Sequence, residues 1–455
     1  MELFYTFDKK LMMKYKIFII LLLLINSCKS LRQPAQKSYR ILNTKVVTIL
    51  ENNNPYSGLS EPGICINKTD SSNIIAGSIY DNVHLSNDLG KTWQNKHLES
   101  RYGVFGDPCL ASDYAGNIYY LHLADPDNNR NSPEFLSCIV IQKSTDKGKT
   151  WTDGTAIGYN NKHHQDKHWV GIHPVSGELA VTWTEFDKYD SNDPKDKSRI
   201  LFSKSTDFGT SWTKPVKINQ LDGDCLDDDN TVEGAVPVYD RKGNIYVTWA
   251  YRNKIYFDKS TDGGKTWLEQ DIIVANQPKG WNYDIPGVYR ANGMPVLDID
   301  ISGGKYDGTL YINWSDQRNG TNNTDIFISK SIDKGKSWSK PVKVNQDNTH
   351  THQYLSWMKV DPVTGYIYIV FYDRSRYKDK QTDVSLAVSK DGGKSFLSYI
   401  ISDRPFVPRK NVFVGDYNNI DAYNNIVTPV WTDLYKNKIS IKTATINFND
   451  MKLDK

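Results

Sequence analysis

Charged and aromatic side chains recur at matching places in this sequence, each just ahead of a short β-rich run or just behind one. Ahead of such runs stand Glu61, Asp107, Asp166-Lys167-His168, Glu233, Arg290, His352-Gln353 and Asp416-Tyr417. Behind the runs that follow stand Glu185, Arg252, Asp316 with Arg318, Asp373 with Arg374, and Asp433 with Tyr435. Carboxyls, a phenol and guanidinia together supply an acid, a base or nucleophile, and positive charge to hold an anion. An Asp or Glu at a strand start can equally cap the N–H groups of a neighbouring sheet, and an Arg can bridge two sheets. The set acquires a chemical meaning only in a fold that gathers it.

The elements that would gather it are written as a repeat. Ser86-Asn-Asp-Leu-Gly-Lys-Thr-Trp93 returns at Ser144–Trp151, Ser205–Trp212, Ser260–Trp267, Ser331–Trp338 and Ser389–Phe396, with spacings of 58, 61, 55, 71 and 58 residues. Every copy keeps Ser, Asp two on, Gly four on and an aromatic seven on. The Asp (Asp88, Asp146, Asp207, Asp262, Asp333, Asp391) suits a hairpin turn, where its carboxylate accepts backbone N–H groups and Gly provides positive φ. The spacings hold about four short strands each. Two are visible in most units: Trp169-Val-Gly-Ile-His, for example, then a turn at Gly177, then Leu179-Ala-Val-Thr-Trp. A seventh unit without the motif spans Tyr417–Tyr423, Ile426–Trp431 and Ile439–Ile446. Thr44–Leu50 is a lone strand that could complete it and close a ring.

The repeated octet resembles the Asp box of sialidases and related propellers. The resemblance covers nearly the whole mature chain and implies an all-β, seven-bladed β-propeller closed by an N-terminal strand, with six blades as the second choice because catalytic sialidase domains resemble six-bladed rings. It places the boxes on the face opposite the site, as structural turns. By this resemblance Arg290, Arg318 and Arg374 would grip a sugar carboxylate, Tyr417 would be the nucleophile with Glu233 as its base, and Asp107 or Asp416 the acid. Sialidases carry an Arg in a Phe/Tyr-Arg-Ile-Pro motif before the first box, and Ser60-Glu-Pro-Gly-Ile-Cys-Ile66 has none. Glu61-Pro62, Gly106-Asp107-Pro108 and Tyr372-Asp373-Arg374 resemble a broader group of secreted sialidase-like proteins.

The reading therefore leans to an enzyme, a glycoside hydrolase of exo-α-sialidase type acting on acidic glycans. A uronate-directed polysaccharide lyase would instead use His168 or His352 with Tyr417 as base and acid, and an Arg to neutralise the carboxylate. A non-catalytic surface module would only bind glycan or protein.

Met13-Lys14-Tyr15-Lys16, the apolar run Ile17–Ile25 and Asn26-Ser27-Cys28 read as a secretory signal ending in a lipobox-like site, with Cys28 the expected lipid anchor and Met13 the better start. The chain then divides into a signal over residues 1–28, a flexible tether over 29–42 and one propeller over 43–449. This predicts a bacterial envelope protein, held by lipid alone at the outer membrane or cell surface, and a monomer. The formal net charge of +3 comes with no long basic run, so nothing advertises a nucleic-acid partner and none is expected. The 28 Tyr and 12 Trp suit both strand cores and sugar stacking. Cys65, Cys109, Cys138 and Cys225 allow three disulfide pairings among which the sequence does not choose. No zinc-type spacing is present and no cofactor is expected. The stretch Asp222–Asn230 has the oxygen-rich composition of a Ca²⁺ loop but reads better as a solvated one.

Overall fold

A computed structural model describes residues 40–42 and 44–450; the signal and most of the tether lie outside the described residues. All of its regular elements are strands, in seven sheets that are antiparallel except for the short strand Arg40–Ile41. Blades 1 to 6 each run first to fourth strand in chain order, beginning at Gly63, Cys109, His164, Glu233, Val296 and Gln353. Blade 7 takes three strands from Asn419–Tyr423, Ile426–Tyr435 and Lys438–Thr443, and its fourth from Val47–Asn52. The expected seven blades and N-terminal closing strand are both present. Each first strand touches the first strands on either side, and Asn419–Tyr423 touches Gly63–Ile66, so the ring closes. Arg40-Ile41, at the end of the expected tether, already pairs with Tyr399-Ile400 on the edge of blade 6.

The burial pattern follows from radial packing. Second strands lie between two neighbouring sheets, and Leu179–Phe186, Ile245–Tyr251, Leu310–Asp316 and Ile367–Asp373 are buried at every residue. That double-sided burial is why they read as continuous apolar runs rather than alternating ones. Trp183, Trp249, Trp314 and Trp431 are the largest of these side chains. The outermost strand of blade 1, Gln94–His97, is exposed throughout.

The boxes sit at the turn between third and fourth strands, and their carboxylates are consumed there. In blade 1, Lys91 and Thr92 N–H donate to Asp88 Oδ1 at 3.0 and 2.9 Å, and Thr92 Oγ1 donates to Oδ2 at 2.6 Å. The same hydroxyl-to-Oδ2 bond recurs at Asp146, Asp207, Asp262, Asp333 and Asp391. The box glycine is obligatory for packing as well as for φ: a Cβ on Gly264 or Gly335 would lie 2.2 Å from the ring of Phe202 or Phe257 in the preceding blade. Trp267 and Trp338 stack edge-on against those same two rings, at 5.1 and 5.2 Å. All four described cysteines are buried free thiols, so none of the three pairings is formed.

These bonds set an acid limit on the fold. The Ser211 hydroxyl and N–H, with Ser205, hold Asp207 down at about 2. A depressed carboxyl stabilises above its unfolded value, and that contribution is lost as pH falls through the folded one. The melting temperature should therefore drop between pH 4 and 2. Asp207→Ala should cost roughly 1–2 kcal/mol at pH 6, about 2–4 °C of melting temperature per kcal/mol, as read by calorimetry.

Candidate functional site

The face opposite the boxes gathers the starts of the first strands. There the chain departs from regular pairing in a repeated way. The first strands of blades 3, 4 and 6 shift register between Asp166 and Trp169, Glu233 and Val236, and Tyr354 and Trp357. The bulged residues Lys167, Gly234 and Leu355 have φ of 49°, 74° and 48°, and Glu61 and Asp107 at the starts of blades 1 and 2 have 51° and 50°. Bulges of this kind re-aim side chains at the rim of a sheet.

Their effect is a buried cluster of six carboxyls and two cations around the axis. Lys167 Nζ lies 3.3 Å from Asp416, 3.7 Å from Asp107 and 3.9 Å from Asp166. Arg290 binds Asp416 through Nε at 2.7 Å and through Nη2, and donates from Nη1 to Asp227 at 2.6 Å. Glu61 Oε1 accepts the Asp416 N–H at 3.1 Å, and Tyr189 donates to Asp227 at 2.7 Å. Glu233 is fully buried, whereas the side chains of Arg290 and Asp107 keep 24% and 13% of their surface and form the reachable edge.

Six carboxylates cannot all ionise beside two cations out of water. Burial, then Asp107 and Asp416, push Glu61 well above the usual carboxylic range, and burial, then Asp227, does the same to Glu233. Burial raises Asp166 to about 7, against the pull of Lys167. Asp107 and Asp227 go the other way: burial is the largest single influence and opposes their charge, but Lys167 together with His168, Glu61 and Asp166 at Asp107, and with Arg290, Glu233 and Tyr189 at Asp227, outweighs it. The result is two proton-sharing sets, Glu61 and Asp166 against Asp107, and Glu233 against Asp227. Beneath them Tyr417 packs edge-on against Trp169 at 5.2 Å, and Trp169 lies 4.4 Å from Trp357, an aromatic floor drawn from three blades.

The expected residues are thus distributed as follows. Asp107, Glu233, Asp416, Tyr417 and Arg290 come together, with His168 beside Asp107, its imidazole lowered to about 4 by burial. The expected three-arginine grip is not assembled. Arg290 is saturated by Asp416 and Asp227. Arg318 is held by Asp316 and the Asn276 carbonyl and stacks 4.1 Å from Phe327, on the seam of blades 4 and 5. Arg374 donates to Thr382 and to the Pro286 carbonyl, in a separate cavity that also holds His352. Burial, then the charges of Asp107 and Glu61, push the Tyr417 phenol far up, the opposite of what an ionised nucleophile requires.

The carboxylates of Asp222–Asn230 do not converge. Asp222 pairs with Lys217, Asp224 accepts the Thr231 hydroxyl, Asp229 accepts the Asn282 N–H, and Asp227 alone reaches the axis. Asp227 was absent from the strand-start set because it arrives from a loop. Lys167 was visible there, but its role as the central cation depends on the bulge.

No family model matches the chain. A curated relative, xyloglucanase Xgh74A of Acetivibrio thermocellus, is 27% identical over 269 residues, 54% of this chain but 29% of that enzyme's length. Among solved structures, an ulvan lyase from a new family of polysaccharide lyases superposes with TM-score 0.54 at 13% identity, covering 87% of this chain and 95% of that one. The α-L-arabinofuranosidase of Fusarium graminearum gives 0.50 at 12% identity, with 76% and 94% covered. These likenesses show the propeller fold.

The cluster makes an alkaline prediction that complements the acid one. A carboxyl raised to about 7 is most favourable to folding below its unfolded value and loses that advantage as pH rises through 7. Asp166→Asn should therefore raise the melting temperature by a few degrees at pH 8 and leave it nearly unchanged at pH 4. An equal shift at both values would rule out Asp166 as the titrating group.

Proposed function

We propose that the chain is an exported, glycan-cleaving propeller that hydrolyses glycosidic bonds of acidic glycans with carboxyl pairs at the mouth of the ring. The observation that carries this is the split in proton affinity between neighbouring carboxyls, the pattern that separates acid from base on one site. Asp166, protonated up to about pH 7, donates a proton to the leaving glycosidic oxygen. Ionised Asp107, at the exposed edge, takes the proton of the attacking water or itself attacks the anomeric carbon, and Lys167 balances its charge. The sum is addition of water across one C–O bond. This keeps the hydrolase expected from the sequence and replaces the tyrosine nucleophile and arginine grip of a sialidase with aspartates.

Relatives by sequence and by fold that are named as xyloglucanase, ulvan lyase and arabinofuranosidase support a glycan substrate. The signal-like N-terminus with Cys28 supports a lipid-held protein at the cell envelope, facing such glycans. A second reading, β-elimination on a uronate, draws on one feature: His168 and Tyr417 are both uncharged, the forms that a base and an acid need.

Purified protein incubated with sialylated and uronate-rich glycans should release reducing ends, with no unsaturated product by ultraviolet absorbance. Asp107→Asn should cut turnover by about 10²-fold or more, and wild-type turnover should fade as pH rises through about 7, where Asp166 loses its proton. Unsaturated product would favour the lyase. Undiminished turnover in Asp107→Asn would move the reaction away from the axis.

A further inference from the structure

We infer that the rim of this face over blades 6 and 7 carries an extended groove that binds an anionic polysaccharide through its carboxylate or sulfate groups. Two cavities adjoin there. One, of about 580 Å³, lies among His352, Arg374, Lys378 and Lys380. The other, of about 500 Å³, lies among Arg404, Arg409, Tyr435 and Lys436. Gln381 and Val407 line both, so the two adjoin, and each has the size of a ligand site.

The charge of the lining is one-sided. Six Lys and Arg side chains line the pair of cavities against one acid, Asp379. The whole chain carries only +3, so this is a local concentration rather than a basic protein's general surface. Some of it is already used: Arg404 pairs with Asp433 at 2.7 Å and lies 3.7 Å from the Tyr435 ring. Two guanidinia are left with donors to spare. Arg374 is only 2% exposed, is fixed by Thr382 and the Pro286 carbonyl, and has a buried Nη2 with no hydrogen-bond partner. Arg409 donates through Nη1 to Asn437, and its buried Nε and Nη2 have none. Buried, fixed and unpaired donors are costly unless an acceptor arrives, and a guanidinium matches a carboxylate or a sulfate best.

The groove also resolves a charge problem at the axis. Lys167 and Arg290 at the mouth are already paired with carboxylates, so positive charge for a polyanion must come from beside it. The segment after blade 4 separates the two: Pro286 lines the first cavity and Arg290, four residues on, closes the cluster. A chain held in the groove would pass over that segment to the mouth. The inference rests on the glycan reading above, but its test is binding rather than turnover.

Titration calorimetry with a polygalacturonate oligomer, dextran sulfate and neutral dextran reads it directly. At least one polyanion should bind, more weakly at high salt, and neutral dextran should not. Binding of polygalacturonate alone assigns carboxylate as the ligand group, of dextran sulfate alone sulfate, and of both charge in general. The double variant Lys380→Gln/Arg409→Gln, which alters two rim side chains, should lose about tenfold or more in affinity with an unchanged melting temperature. Neutral dextran bound as well as the polyanions, no binding of either polyanion, or wild-type affinity in the double variant would each overturn the inference. Retained binding without cleavage would keep the groove and remove the hydrolase.

Discussion

Everything at the axis depends on the closure of the ring. A sheet with two apolar faces must be covered on both, and seven of them achieve this only if the last packs against the first. The chain secures that contact with its most non-local pairing, Val47–Asn52 against Lys438–Thr443. Once closed, the ring points the starts of seven first strands at a common line. Side chains there are largely shut off from solvent and have no neighbouring sheet to turn toward, so their charges must be reconciled with one another.

The reconciliation is protonic rather than purely ionic. Lys167 and Arg290 cannot neutralise six carboxyls, and desolvation makes any excess negative charge expensive. Protons kept by Glu61, Asp166 and Glu233 let Asp107 and Asp227 remain charged beside the cations. The aromatic floor of Trp169, Trp357 and Tyr417 strengthens this arrangement by excluding water below it. The segment after blade 4 strengthens it from above, where a Cβ on Gly234 would lie 2.9 Å from Trp281. The structure that lowers the dielectric is thus the structure that separates acid from base.

The fold was legible because each Asp box is complete within eight residues. Its hydrogen bonds are local, so its spelling survives in sequence, and six copies outweigh any propensity argument. The seventh blade was legible only as strands, since its turn between third and fourth strands is replaced by the distant pairing with Val47–Asn52. The site was half legible. Radial geometry made the strand starts predictable as a set, and Asp107, Glu233, Arg290, Asp416 and Tyr417 do meet. Arg318 and Arg374 look alike in sequence, each following an Asp at a second-strand end. Yet one lies back on its own blade against Asp316 and Phe327 while the other reaches Pro286. Only tertiary contact separates them. Asp227 carried no signal, since it comes from a loop whose composition suggested solvent. The longest box spacing, 71 residues, was the visible mark of the segment that delivers Arg290.

The two ends of the axis show what folding alone would require. At the box end, the ends of the first strands also bring charges together, but there they balance: Lys68 and Lys359 against Asp298 and Asp421. These groups serve the backbone. Asp421 accepts the Ile66 N–H at 2.9 Å, Asp298 the Val360 N–H at 2.7 Å, and Lys68 donates to the Ser112 carbonyl at 2.7 Å. Each bond stitches one blade to another, and the count of charges is even. At the mouth the count is uneven, and Tyr417 Oη has no hydrogen-bond partner. Radial convergence is common to both ends, so it cannot explain the difference. The imbalance adds nothing to the stability of the ring and shifts proton affinities at the mouth, and it is on that shift that the proposed hydrolysis rests.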